Sequence, residues 1–141
     1  MGKLSHHANN TLLIDSHCVV VMDDCFYLIG GTQDAYLCFN DVWRSNDAIH
    51  WRSLSDDCMW QARWQHTCVV HANCLFILGG WGDGHLNDVW KSSDCGNSWK
   101  CICPSAPWRK RMFHASVSFN NLLFVIGGSD GKDNLNVRIV C

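Results

Sequence analysis

Three nearly continuous apolar runs punctuate the chain: Phe26-Tyr27-Leu28-Ile29, Cys74-Leu75-Phe76-Ile77-Leu78 and Leu122-Leu123-Phe124-Val125-Ile126. Each leads into a glycine pair, Gly30-Gly31, Gly79-Gly80 and Gly127-Gly128. Short runs rich in Phe, Ile and Val and stopped by glycine predict strands covered on both faces. A further apolar segment precedes each run and opens at His17, His66 or His114; in the middle copy, Thr67-Cys68-Val69-Val70-His71 and a turn at Ala72-Asn73 predict a buried hairpin. Downstream the pattern changes to alternation, in Asn40-Asp41-Val42-Trp43-Arg44-Ser45 and Asn87-Asp88-Val89-Trp90-Lys91-Ser92. Alternation predicts a third strand with one wetter face. Trp51-Arg52-Ser53-Leu54 and Trp99-Lys100-Cys101-Ile102 supply a fourth.

These landmarks recur in one register. From His17 to His66 to His114 the steps are 49 and 48 residues, and the glycine pairs keep the same steps. A period near 50 residues with strand content predicts a propeller whose blade is one repeat. The expected fold is therefore all-β, a propeller segment of about three four-stranded antiparallel blades with the last incomplete. Blade 1 is expected over about 15–55, blade 2 over about 64–103 and blade 3 over about 112–141, after an extension at 1–11. Gly30, Gly31, Gly79, Gly80, Gly127 and Gly128 are read as structural, because positive φ and the missing Cβ let chains pack closely near an axis. Trp43, Trp90, Trp51 and Trp99 are read as structural too. So are Arg63, His66, Arg111 and His114, which recur in phase as Arg-x-x-His; the first repeat has Ile14 in the Arg slot.

The run into Gly-Gly, the Asn-Asp-Val-Trp strand, the closing Trp and the Arg-x-x-His start resemble kelch repeats over roughly 12–141. Nested within them, Ser92-Ser93-Asp94-Cys95-Gly96-Asn97-Ser98-Trp99 is similar to the Asp-box turn of sialidase-type propellers. Ser45-Asn46-Asp47-Ala48-Ile49-His50-Trp51 is a shorter copy that lacks the Gly. Both read as turn hardware, in which Asp and Ser bond a tight turn and Trp plugs between strands.

Three repeats are fewer than the roughly four to eight blades of closed propellers. The expectation is a piece of a longer protein, with ring closure by oligomerisation as the rival if the chain is complete. Nearly half of the residues are apolar (48%) and the net charge is −2, so bulk electrostatics select no partner. Arg109-Lys110-Arg111 is the only basic run, too short for a nucleic-acid surface, and is read as a solvated loop. No membrane span, signal core or myristoylation motif is legible, and a cytoplasmic location is expected. The ten cysteines are expected to be mostly reduced. Cys58, Cys95, Cys101 and Cys103 lack the Cys-x-x-Cys spacing of a zinc site, so no metal and no cofactor is expected.

The kelch resemblance admits enzymes such as galactose oxidase and sialic-acid mutarotases. A copper site would need convergent Tyr and His, yet the only tyrosines are Tyr27, in a buried run, and Tyr36. Sialidase chemistry would need a Glu to assist its Tyr, and the chain has no glutamate. Mutarotation needs only an acid and a base across a pocket, for which His66, His114, Arg63 and Arg111 are the candidates. Their recurrence with the fold argues instead that they serve every blade. No catalytic residue is assigned. Function is expected where the repeat is broken, in loops that share one face: 32–39, 81–85 and 129–133. Tyr36, Phe39, Trp81, Asp83, His85, Asp130 and Lys132 are the expected partner-binding residues, since aromatic anchors among polar neighbours dominate hot spots. The reading is a non-enzymatic scaffold for a protein or peptide partner. The alternative is a carbohydrate-active or glycan-binding propeller.

Overall fold

The computed structural model describes residues 14–34 and 37–139. Eleven strands form three antiparallel sheets in chain order. The first sheet holds β1 (Cys18–Met22), β2 (Cys25–Asp34), β3 (Leu37–Ser45) and β4 (Arg52–Ser55). The second holds β5 (Thr67–His71), β6 (Cys74–Trp81), β7 (His85–Ser92) and β8 (Lys100–Cys103). The third has β9 (Ala115–Phe119), β10 (Leu122–Ile126) and a two-residue β11 (Arg138–Ile139). Its order, β11-β10-β9, matches that of the first three strands of each complete sheet. This is a partial propeller: β5 packs against both β1 and β9, so the first strands of successive blades adjoin one another.

The first hairpin of every blade has the same two-residue turn. Asp23-Asp24, Ala72-Asn73 and Asn120-Asn121 all have positive φ, the geometry whose twist matches that of the flanking strands. Asp and Asn tolerate this backbone; Ala72 takes it at a cost.

Two apolar layers hold the blades together. Tyr27, Ile29 and Val42 of blade 1 pack with Leu75, Ile77 and Trp99 of blade 2, while Phe76, Leu78 and Val89 face Leu123 and Val125 of blade 3. Alternate residues of β6 thus enter opposite layers, which is why its sequence is unbroken by polar residues. On the outward sides, Val19 and Val21 of β1 and Val117, Phe119 and Leu122 of blade 3 are exposed.

The second strands of blades 1 and 2 do not stop at their glycine pairs, as the sequence pattern suggests. A bulge lies between Ile29 and Gly31 and another between Leu78 and Gly80, after which pairing resumes. Gly31 pairs with Phe39, and Trp81 with His85. Positive φ at both glycines absorbs the extra residue.

Candidate functional site

The first two glycine pairs are joints where one blade meets the connector into the next. The Gly31 N–H donates to the Arg63 carbonyl at 2.9 Å, and the Arg63 N–H to the Phe39 carbonyl at 3.0 Å. One repeat later Gly80 donates to Arg111, and Arg111 to Leu86, at 2.9 and 3.0 Å. The side chains of Asn40 and Asn87 reach the same connectors, donating to the Cys58 carbonyl at 2.7 Å and to the Ala106 carbonyl at 2.9 Å. A Cβ on Gly80 would stand 2.6 Å from the His66 Cβ, so only glycine fits.

Arg63 and His66 face inward rather than lining an open pocket. Arg63 is 0% exposed and grips Asp88 with two bonds of 2.7 Å, while Nη1 also donates to the Gly79 carbonyl at 2.9 Å and Nε to that of Gln61 at 3.0 Å. Trp90 donates its indole N–H to the same carboxylate at 2.7 Å. Burial opposes the charge on Asp88, but its bonds from Arg63 and then Trp90 hold its pKa below the ordinary value. Burial, followed by the charge of Arg63, lowers the His66 pKa to about 3; burial and Arg111 lower that of His114 to about 4. Both imidazoles are neutral near pH 7. This geometry bonds Arg63 to a strand end within the fold and buries the His66 and His114 rings.

The Asp-box-like turn is built as its residues imply. Ser92 accepts the Gly96 N–H at 2.9 Å, Asp94 accepts the Ser98 N–H at 2.9 Å, and Trp99 is buried with its indole on the Gly96 carbonyl. The shorter copy reproduces the scheme through Ser45, Asp47 and Trp51, with Ala48 at φ 59. The Asp47 pKa is lowered chiefly by the His50 side chain.

On the face where the connectors enter, the ends of blades 2 and 3 border a shallow, open cleft of about 420 Å³ lined by Gly84, His85, Arg109, Lys110 and Asp130. Trp81 and His85 close the β6–β7 ladder as its last pair, their rings edge to face at 4.5 Å. The loop between them is thus only Gly82-Asp83-Gly84. Opposite, Asp130 caps its own turn by accepting the Lys132 and Asp133 N–H groups at 3.0 and 2.8 Å, which keeps its pKa low. It also pairs with Arg109, and Arg109 reaches Asp133 at 3.1 Å.

Of the sequence-predicted binding residues, Trp81, His85 and Asp130 come together here. Asp83 and Lys132 stand exposed in the two adjoining turns. Phe39, expected as an exposed anchor, is instead 8% exposed, because β3 continues through it and pairs it with Gly31. Tyr36 lies outside the described residues. Arg109 and Lys110 are exposed, as a solvated loop implies, and also line the cleft, whereas Arg111 of the same run is buried. The signal for them was in the sequence: Arg111 keeps phase with Arg63, so Arg109 and Lys110 replace Gln61 and Ala62 and break the repeat.

Among the described residues, no three His, Cys or Asp side chains are grouped to hold a metal ion, and no helix is long and apolar enough to cross a membrane. The family described as the KLHDC2/KLHL20/DRC7 Kelch-repeats domain matches residues 3–139. No curated protein matches the chain.

Proposed function

The chain belongs to the kelch-repeat family, and we propose that it is a non-enzymatic scaffold whose cleft between blades 2 and 3 takes a protein or peptide partner. Kelch-repeat domains are, at the family level, protein-interaction scaffolds. One observation supports the finer reading: the residues that depart from the repeat, His85, Arg109, Lys110 and Asp130, line one cleft, with Trp81 packed edge to face behind His85. Cations, an ionised carboxylate and the His85 ring around one open concavity suit a peptide with a polar backbone and a charged side chain. A cytoplasmic setting belongs to the same proposal.

Selection of a displayed random-peptide library against the full chain tests the reading. Selected peptides should lose at least tenfold in affinity to Trp81→Ala and to Lys110→Ala variants that melt at the parental temperature. Undiminished binding by both variants would remove the cleft from the site. A rise in melting temperature with sialic acid or galactose would favour the carbohydrate class instead.

A further inference from the structure

We propose that Cys18 and Cys68, on the neighbouring first strands of blades 1 and 2, form a peroxide-sensitive dithiol that closes into an inter-blade disulfide. The Cys68 N–H donates to the Cys18 sulfur at 3.0 Å, and that sulfur lies 3.8 Å from the Cys68 carbonyl oxygen. Strand register identifies the place. Cys18 pairs with Ile29 and Thr67 with Leu78, each residue directly before its glycine pair, so Cys18 and Thr67 are equivalent. Across the next blade boundary Thr67 meets Ser116, hydroxyl to hydroxyl at 2.6 Å. The first boundary therefore carries two thiols at the site where the second carries two hydroxyls.

The two sulfurs are chemically unequal. A hydrogen bond with the Cys68 side chain lowers the Cys18 pKa, whereas burial raises that of Cys68. Cys18 is the attacking thiolate and Cys68 the resolving thiol. The Cys18 thiolate attacks one oxygen of hydrogen peroxide; the O–O bond breaks, leaving a sulfenic acid and hydroxide, which takes up the proton Cys18 had lost. Cys68 then attacks that sulfur, the S–O bond breaks, and water departs with the Cys68 proton. The sulfurs lose two electrons and peroxide is reduced to two waters.

The test treats the folded full chain with hydrogen peroxide and maps its peptides without reduction. A linked Cys18–Cys68 peptide should dominate, two hydrogens lighter than its reduced halves, and the melting temperature should rise until dithiothreitol reverses it. Scattered linkages, or separate sulfinic and sulfonic acids at Cys18 without the link, would overturn the proposal. The double variant Cys18→Thr, Cys68→Ser rebuilds the Thr67–Ser116 pair at this boundary, and in it the peroxide-dependent melting shift should vanish. A shift that persists in the double variant would assign the effect to other thiols.

Discussion

Arg63 and Arg111 occupy the same slot in successive repeats, yet they solve the burial of a guanidinium differently. Arg63 has a carboxylate, the bidentate Asp88, beneath the Trp90 indole. In blade 3 the Asp slot holds Asn136, and Arg111 donates instead to the Gly127 carbonyl at 2.7 Å and to the backbone carbonyl of Asn136 itself at 3.0 Å. Blade 1 shows the converse: Asp41 bonds Trp43 at 2.9 Å, but Ile14 fills the Arg slot. What stays constant between the two arginines is the bond to the glycine-pair carbonyl and the stacking on Trp60 or Trp108. The guanidinium is retained first as a backbone clamp, and the ion pair is an addition to it.

The sharpest way to break this comparison is at the glycine pairs the arginines hold. Gly80→Ala combines a φ of 98° with a Cβ 2.6 Å from that of His66, and should cost about 4 kcal/mol from overpacking and strain together. Gly127→Ala, with a φ of 67° but nothing nearer than 4.0 Å, should cost only about 1 kcal/mol. Chemical denaturation of the two variants measures the difference. Next in size, Arg63→Met strands Asp88 without its cation and should cost about 3 kcal/mol, whereas Arg111→Met leaves carbonyls alone unpaired and should cost about 1–2 kcal/mol.

Acid sharpens the contrast further. His66 and His114 have native pKa values below the ordinary 6.5, at about 3 and about 4. Between those values and 6.5 the unfolded chain binds more protons, so stability is complete above pH 6.5 and falls as the pH drops. The slope should approach roughly 1.4 kcal/mol per pH unit for each histidine. His114→Asn should flatten the curve more above pH 4 than below it, as melting temperature against pH would report. The smallest effect expected is a gain: Ala72→Asn, placing Asn at a φ of 45°, should stabilise by up to about 1 kcal/mol.

The fold was legible because its landmarks are short-range and repeated. The Gly-Gly pairs, the alternation in Asn87–Ser92 and the Asp-box turn each carry their own geometry, and phase confirms them against one another. Less legible was the extent of β2 and β6. Glycine reads as a stop, yet at a bulge it lets pairing resume, and Phe39 was misjudged as exposed for that reason. The cleft was half visible: Trp81, His85 and Asp130 break the repeat conspicuously, but Arg109 and Lys110 hide beside an in-phase arginine. Their convergence depends on two blades meeting, which no single segment encodes.

The connectors also determine how such a chain can be cut and rejoined. Residues 58–63 give hydrogen bonds to Phe39 and Asn40 behind them, while the Arg63 side chain is committed to Gly79 and Asp88 ahead. A crossover made between Ser55 and Thr67 would part donors from acceptors on one side or the other. The cassette that can be transplanted whole therefore starts and finishes inside a sheet, offset from what the eye takes as a blade.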